Sequence, residues 1–238
     1  NNVPANEFLN LEGQKLSTSR NWAVWIKDYL TDFPNMQDVL RYVLCSIAPE
    51  NKDSDFTWKD FQARNNNELA SILGNFVNRT FVLSHKYFSG IVPKKNELTE
   101  IDNSTIKLLH EIPKNISAFI EQYKFRDALN EAMKLARVGN KYLADTEPWK
   151  LIKTDKTRVE TILNIALQIT ASLSIIFEPF MPNTYKELNA MLNISNIKWD
   201  DAGNENLLRC GHKISSPKIL FKKIEDNQIK EQIDKLKL

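Results

Sequence analysis

Cysteine and histidine are scarce in this chain of 238 residues, which has two cysteines and three histidines. Cys45 and Cys210 stand far apart, which excludes a disulfide scaffold and a cysteine-based metal site. Cys210 and His212 form a Cys-x-His pair, but no second pair exists to complete a tetrahedral site. We therefore expect no metal site, and the low cysteine content indicates a reducing, cytoplasmic compartment.

Long apolar runs and an excess of one charge are also missing. We expect no stretch apolar for long enough to span a bilayer, no secretory signal at the start and no membrane partner. The net charge of +2 comes from 32 basic and 30 acidic residues, so composition alone does not indicate nucleic acid. Any RNA contact must come from a local patch. The chain starts without methionine or a helix-start signal, which predicts a fragment, and nothing indicates its oligomeric state.

Helical periodicity fills the chain from about residue 58 onward. Apolar residues recur at helical spacing in five segments, with prolines between them or near their starts. These predicted helices are 58–88, 104–124, 126–144, 157–177 and 182–192. Glycine is scarce at six residues, so turns are short, and the pattern is typical of an antiparallel helical bundle. Pro113 falls inside the second segment, where it should kink the helix or mark its true start.

The first 60 residues are mixed in character. An apolar run at 8–11 that ends at Gly13 predicts a strand and a turn, and a polar loop is expected over 14–21. Residues 38–47 predict a short helix, and residues 49–54 a polar connection.

Three parts therefore make up a fold that is predicted to be mainly α. A short mixed α/β region occupies residues 1–60, and the antiparallel helical bundle occupies residues 61–215. A tail over 216–238 is expected to be extended as far as Phe221 and amphipathic from Glu225 onward.

Asn75 and Arg79 lie one turn apart on the first long helix, just off the edge of its apolar stripe. Side chains at i and i+4 of a helix project side by side. Asn offers a paired donor and acceptor, and Arg a rigid fork of donors, so together they can read the edge of an unpaired base. Such pairs more often form a solvated or salt-bridged helix face, so spacing alone leaves both interpretations open.

The run from Thr146 to Trp149 predicts a helix start. Thr146 could cap the helix, with Glu147 suiting its dipole and Pro148 in its first turn. Trp149 then stands beside a bend. A packing role is the commoner one for tryptophan, and the alternative is a stacking platform for an unpaired base.

A loop of small polar and basic residues follows the first predicted strand. It contains Lys15, Ser17, Thr18, Ser19 and Arg20. Hydroxyl groups and cations can hold phosphate oxygens, although the Gly-rich cradle of a Walker loop is missing. Polar loops of this kind are common, so this motif indicates a phosphate site only in company with others.

Taken in order, these features resemble methionyl-tRNA synthetase, a class I aminoacyl-tRNA synthetase family. Asn75 and Arg79 match the Asn and Arg by which the family reads the CAU anticodon, and Pro148-Trp149 matches its anticodon-stacking motif. Three further segments resemble the KMSKS loop, the entry into the first bundle helix and the bundle-closing turn: residues 12–19, 53–61 and 177–182.

The resemblance implies that the full enzyme activates methionine with magnesium-bound ATP and transfers it to tRNA(Met). The catalytic loop residues would be Lys15, Ser17, Thr18 and Ser19, with Lys15 and Thr18 binding ATP and stabilising charge on the departing pyrophosphate. The resemblance also implies that Trp149, with Pro148, stacks on the first anticodon base, while Asn75 and Arg79 hydrogen-bond the splayed bases. The family's zinc-binding insertion is missing.

One departure from the family pattern concerns Thr18, which stands where a second Lys is usual. A Thr can hydrogen-bond a phosphate but brings no charge, so Lys15 would carry more of the role, together with Arg20. No HIGH-type histidine motif or nucleotide-binding βαβ unit is found, so we expect the fragment alone not to form methionyl-adenylate. The alternatives are another class I synthetase of cysteine or leucine type, or a non-catalytic helical RNA-binding or interaction module, which the near-neutral charge slightly favours.

Overall fold

A computed structural model describes residues 3–236 of the chain. Helices dominate this part of the molecule, which confirms the mainly α prediction. In chain order the helices are α1 (Ile26–Asp32), α2 (Gln37–Ser46), α3 (Trp58–Ala63), a π-helical stretch (Arg64–Gly74), α4 (Asn75–Phe88), α5 (Glu100–Glu121), α6 (Phe125–Thr146), α7 (Pro148–Leu151), α8 (Lys156–Phe177), α9 (Pro182–Leu192) and α10 (Asp226–Lys235). Short 3₁₀ turns add Thr18–Arg20 and Trp199–Asp201.

A small three-stranded sheet precedes the bundle. Its strands are β1 (Leu9–Leu11), β2 (Gln14–Lys15) and β3 (Ser54–Phe56), in the order β2-β1-β3. The β1–β2 pair is antiparallel and the β1–β3 pair is parallel. The sequence predicted β1 but interpreted β2 as loop and placed a polar connection up to residue 54. These strands are too short and polar to show a period of two, and only tertiary pairing defines them.

The tight turn between β1 and β2 is fixed by backbone conformation and by two carboxylates. Glu12 and Gly13 both have positive φ, at 47° and 73°, as the two-residue turns that suit a twisted hairpin require. The amide of Gly13 donates to both carboxylate oxygens of Asp55 at 3.0 Å. The Glu12 carboxylate accepts from the amide of Trp58 at 2.7 Å, so the hairpin is attached to the first residue of α3.

One continuous helix runs from Trp58 to Phe88 through the π-helical stretch, as the sequence predicted over 58–88. Thr57 caps its start by accepting from the amide of Asp60 at 3.0 Å. Ser89, with a φ of 54°, ends it in the left-handed conformation. At 1.5 Å per residue, Asn75 lies roughly 25 Å along this helix from Trp58.

The remaining bundle helices agree with the predicted segments, with small shifts at their ends. Helix α5 starts four residues earlier than expected because Thr99 and Asp102 form a capping box there. Pro113 lies inside α5, so the prediction that it marks the helix start is wrong. The helix begins about three and a half turns upstream of this proline, where the capping box satisfies free amides.

Helix α8 is long and apolar enough to cross a membrane by length and composition. The expectation that no stretch has this property is therefore wrong. Nearly all of its apolar window, 94%, is buried inside the protein, where α8 packs against α4, α5, α6 and α9. A helix surrounded by other helices needs no polar face, which explains the composition.

The tail returns along the long helix as an extended segment and then forms α10. The predicted amphipathic stretch is helical over Asp226–Lys235, and its last two residues lie outside the described part. Side chains of α10 meet α1, where Gln232 donates to Asp32 at 2.9 Å. One contiguous core runs through the sheet, the bundle and this tail, from Leu11 to Leu236.

Candidate functional site

Arg79 and Trp149 are 70 positions apart in sequence, and the fold brings them together. The guanidinium carbon of Arg79 lies 5.0 Å from the centre of the Trp149 ring, within the range of a cation–π contact. Both side chains are half-buried. Within residues 3–236 no carboxylate pairs with Arg79. Its donors are therefore free to meet a ligand beside the ring.

Asn75 lies one turn before Arg79 on the same face and is exposed. Its side-chain amide has no hydrogen-bond partner in the described part of the chain. Asn78 is also exposed, and the same holds for its amide. We call Asn75, Asn78 and Arg79 the open stripe. Within residues 3–236 no member of the open stripe takes part in a salt bridge, so the stripe is not the salt-bridged helix face that such a pattern often forms.

The segment that carries Trp149 differs at its start from the sequence prediction. Thr146 is the last residue of α6, not a cap, and its hydroxyl donates back to the carbonyl of Tyr142 at 2.6 Å. Glu147 makes the bend with a φ of 41°, and α7 follows with Pro148 in its first turn, as expected. The tight bend ends one helix and begins the next, so no separate cap fits between them. Residues 146–155 are called the Trp149 corner.

A buried polar cluster joins the three helices around this corner. Asp102 of α5 is fully buried and accepts from the hydroxyl of Tyr142 at 2.5 Å. The guanidinium of Arg158, at the start of α8, donates to both Asp102 oxygens at 2.6 and 2.8 Å. Thr99 completes the cluster, with its amide donating to Asp102 at 2.8 Å. Because α7 is tethered between α6 and α8, this cluster positions Trp149.

Charge in the buried cluster follows from these bonds. Burial alone raises the pKa of the Asp102 carboxyl, but hydrogen bonds from Arg158, Tyr142 and Thr99 outweigh it and hold the pKa below its usual range. Burial and the same hydrogen bond raise the pKa of Tyr142 well above its usual range. The cluster is therefore an ion pair of Asp102 and Arg158, to which the neutral Tyr142 donates a hydrogen bond. Sequence reasoning missed it, because its members are 40 and 56 residues apart.

Close packing sets the distance between α6 and the long helix. A Cβ added to Gly139 would lie 2.5 Å from the ring of Phe76, so the two helices approach closely only because residue 139 is glycine. The next residue, Asn140, donates its amide to the carbonyl of Ile72 at 2.9 Å. These contacts hold the face of α4 beside the segment leading to Trp149.

The polar loop forms a second candidate region at the sheet. Ser17 pairs with Trp22 through two backbone hydrogen bonds of 2.9 Å, which close the loop. Thr18 and Ser19 lie in the 3₁₀ turn between them, and the Ser17 and Ser19 hydroxyls are 3.2 Å apart. Lys15 is exposed and has no carboxylate partner within residues 3–236. The loop thus presents hydroxyl groups and two cations, Lys15 and Arg20, and Arg20 likewise has no carboxylate partner in the described part of the chain.

An apolar cavity of about 520 Å³ adjoins this loop. Its walls include exposed apolar side chains, such as Trp25 at 44% and Leu16 at 41% exposure. The open stripe lies on the bundle, so the two candidate regions are separate. Asn75, Arg79, Pro148 and Trp149 come together at one, and Lys15, Ser17, Thr18 and Ser19 at the other.

A small sheet with a polar loop, joined by a long helix to a helical bundle, is the arrangement that the resemblance to class I aminoacyl-tRNA synthetases predicted. Residues 1–81 match the family "tRNA synthetases class I (M)", and residues 92–237 match the "Anticodon binding domain of methionyl tRNA ligase". The second match covers more than half of the chain. The chain therefore belongs to the methionyl-tRNA ligase family, which sets aside the cysteine- and leucine-type alternatives.

Curated relatives with the name methionine–tRNA ligase agree with this assignment. The chain is 60% identical over 235 residues to that of Phocaeicola vulgatus and 61% identical over 235 residues to that of Parabacteroides distasonis. It is 60% identical over 237 residues to that of Flavobacterium psychrophilum. Each alignment covers 99% of this chain but only 34–35% of the relative, so the chain spans about a third of their length.

Solved structures show the same fold. Mycobacterium tuberculosis methionyl-tRNA synthetase in complex with methionyl-adenylate superposes with a TM-score of 0.82 at 22% identity, over 91% of this chain and 43% of that one. The apo form of that synthetase gives a TM-score of 0.79 at 19% identity, over 93% of this chain and 43% of that one. At these identities the likeness concerns the fold, including the bundle that carries the open stripe.

Proposed function

We propose that this chain is the anticodon-recognising part of a methionine–tRNA ligase, whose complete form activates methionine with ATP and charges tRNA(Met) in the cytoplasm. The stack of Arg79 on Trp149 beside an unpartnered Asn75 is the observation that carries the proposal. A stacking ring next to free amide and guanidinium groups suits an unpaired base, which needs support for its face and partners for its edge.

Trp149, supported by the buried Pro148, would stack on the first anticodon base, cytosine. Asn75 and Arg79 would hydrogen-bond the splayed bases through amide and guanidinium groups that no protein group occupies. The cation–π contact keeps the ring and the guanidinium ordered before RNA arrives, which lowers the entropic cost of binding.

The Lys15–Ser19 loop would act in the other reaction of the ligase, the activation of methionine with ATP. Lys15 and Thr18 would bind the ATP phosphates, while Ser17 and Ser19 add hydroxyl donors, so that charge on the departing pyrophosphate is stabilised. Thr18 contributes a hydrogen bond without charge, which leaves Lys15 as the principal cation. Residues of about 22–60, which lie between the two regions in sequence, would brace the inner side of the L-shaped tRNA. This segment would couple the anticodon site to the polar loop.

Among residues 3–236 no group of three or more His, Cys, Asp or Glu side chains could hold a metal ion. Magnesium would enter with ATP, and its ligands, like the family's zinc site, would have to come from the remaining two thirds of the ligase. No step of the mechanism is assigned to a metal on this chain.

The anticodon role is tested by binding of this chain to two anticodon stem-loops, one with CAU and one with its first base changed. We expect preference for CAU, which Trp149→Ala should remove at a cost of about 1–3 kcal/mol in binding free energy. Trp25→Ala is the matched control, since Trp25 is a 44% exposed tryptophan beside the other candidate region. Binding without preference, unchanged by Trp149→Ala, would contradict the proposal and leave a helical RNA-contacting or scaffold module.

The catalytic role is tested separately, by ATP–pyrophosphate exchange. We expect no exchange by the isolated chain, because it spans about a third of its relatives. In the complete ligase, Lys15→Ala should lower the exchange rate strongly and leave anticodon binding unchanged. Exchange by the isolated chain would overturn this assignment of roles.

A further inference from the structure

A second wall borders the open stripe, on the side away from Trp149. On a helix of 100° per residue, Arg79 projects 40° to one side of Asn75, and Asn78 projects 60° to the other, by the geometry of about 3.6 residues per turn. Arg79 faces Trp149. Asn78, with Asn75 and Gly74, lines a cavity of about 210 Å³ whose opposite wall is the tail segment of Ile219, Leu220 and Phe221.

The tail is held firmly on both sides of this cavity. We call residues 215–224 the tail strap. At its start, the Nε2 of His85 lies 2.8 Å from the carbonyl oxygen of Ser215. At its end, the Asn66 side chain pairs with both backbone groups of Ile224, donating to the carbonyl and accepting from the amide at 2.9 Å. Asn65 donates to the carbonyl of Lys222 at 2.8 Å. The tail strap is therefore hydrogen-bonded to the long helix at both of its ends.

The tail strap exposes one apolar side chain and three lysines, which are the groups that can contact the base and the phosphates of a nucleotide. Ile219 is 76% exposed at the rim of the cavity, although its neighbour Phe221 is buried. Three exposed lysines lie one to four positions from Ile219 along the strap, and within residues 3–236 none of them has a carboxylate partner: Lys218, Lys222 and Lys223. The chain as a whole carries a net charge of only +2, so these unpaired lysines make the strap a local basic patch.

From this arrangement we propose a second nucleotide site, formed by Asn78, Ile219 and the lysines of the tail strap, for another unpaired nucleotide of the same anticodon loop. Ile219 packs against the face of the base, and the free amide of Asn78 bonds its edge. The lysines neutralise the flanking phosphates. The inference rests on the proposed function, because it takes the RNA from the Trp149 side as the same ligand.

The test measures binding of the chain to the CAU stem-loop and to stem-loops changed at each loop position in turn. We expect Asn78→Ala and Ile219→Ser each to weaken CAU stem-loop binding about fivefold, the effect of one lost polar or apolar contact. The two variants should reduce discrimination at a loop position other than the first anticodon base. Replacing Lys218 and Lys222 by Ala should lower the salt dependence of binding by roughly 0.7 per lysine in logarithmic slope.

Matched controls come from exposed positions on other faces. Asn103→Ala on α5 and Lys114→Ala on the same helix replace the same residue types outside both walls. Ile26→Ser replaces a 57% exposed isoleucine on α1. All these side chains are exposed, so circular dichroism should show an unchanged fold, and the binding changes can be attributed to the surface.

Each outcome separates this inference from the proposed function. Weaker binding in both the Trp149 and tail-strap variants, at different loop positions, supports both. A loss with Trp149→Ala but wild-type affinity, discrimination and salt slope in all tail-strap variants overturns the second site and leaves the anticodon role standing. The reverse pattern supports the tail strap as an RNA site and contradicts the role of Trp149. No change in either set overturns both.

Discussion

Two polar groupings of this protein contrast in how their hydrogen bonds are used. In the buried cluster, Asp102 accepts from Tyr142, Arg158 and Thr99, and its carboxylate lies at zero exposure. In the open stripe, Asn75 and Asn78 have no side-chain partner within residues 3–236, and Arg79 has only the ring of Trp149. Both groupings adjoin the Trp149 corner.

The contrast indicates that different polar groups of this protein stabilise the fold and bind the ligand. Polar groups that are buried and fully paired rigidify a packed core, because an unpaired buried group is costly. Polar groups that are exposed and unpaired cost nothing while water solvates them, and they remain free for a ligand. The buried cluster should therefore control stability, and the open stripe should control binding.

The largest expected effect comes from breaking the buried ion pair. Arg158→Ala leaves the Asp102 carboxylate buried without its charge partner, so we expect the free energy of unfolding to fall by about 3–5 kcal/mol. Urea denaturation followed by circular dichroism measures this. The control is Lys107→Ala, which removes an exposed pair with Glu111 at 3.9 Å and should cost less than about 0.5 kcal/mol. Equal losses in the two variants would argue that the buried cluster has no special role.

Acid should weaken the same cluster by protonating Asp102. Because its folded pKa is depressed, its contribution to stability is complete above the unfolded value of about 4 and is lost as the pH falls below it. Asp102→Asn has no charge to lose. We therefore expect the stability gap between wild type and Asp102→Asn, measured by urea denaturation, to be widest at neutral pH and to narrow below about pH 4. A gap that stays constant on acidification would refute this linkage.

How far the sequence predicted the fold depended on the range of the interactions. The apolar stripe of the long helix and the short turns were sufficient to predict the bundle, because both are local patterns. The strand β3, which spans Ser54–Phe56, was missed because it exists only by pairing with β1. Polar composition suggested a connection there instead.

The candidate site was predicted from the family resemblance more than from spacing. Asn75 and Arg79 share a helix, so their proximity follows from helical geometry. Nothing local joins Arg79 to Trp149, which only the packing of α6 against the long helix brings together. The buried cluster was not foreseen, because its members are 40 and 56 residues apart in sequence. The contact of the tail strap with the long helix was not foreseen either, because Asn66 and Ile224 are 158 residues apart. The roles of the site residues stay predictions until binding is measured.

A smaller effect is expected where α6 meets the long helix. Gly139→Ala would place a Cβ at 2.5 Å from the buried Phe76 ring, which must then move. Overpacking costs about 1–3 kcal/mol, and the better helix propensity of Ala returns up to about 1 kcal/mol, so we expect a net loss of about 1–2 kcal/mol. Thermal denaturation measures it. Gly211→Ala tests glycine replacement without a clash, because a Cβ there meets no atom within 4 Å, although its φ of 87° adds backbone strain.

The smallest effect on stability should come from a substitution in the open stripe. This variant tests most directly whether the open stripe controls binding while the buried cluster controls stability. Asn75→Ala removes an exposed amide with no protein partner, so the free energy of unfolding should change by less than about 0.5 kcal/mol. The same variant should weaken binding of the CAU stem-loop, since one edge-reading hydrogen bond is worth about 1 kcal/mol. Denaturation and stem-loop titration of one preparation give both values. A stability loss as large as that of Arg158→Ala, with RNA binding unchanged, would mean that Asn75 is a structural residue and that unpaired polar groups do not mark the binding face of this protein.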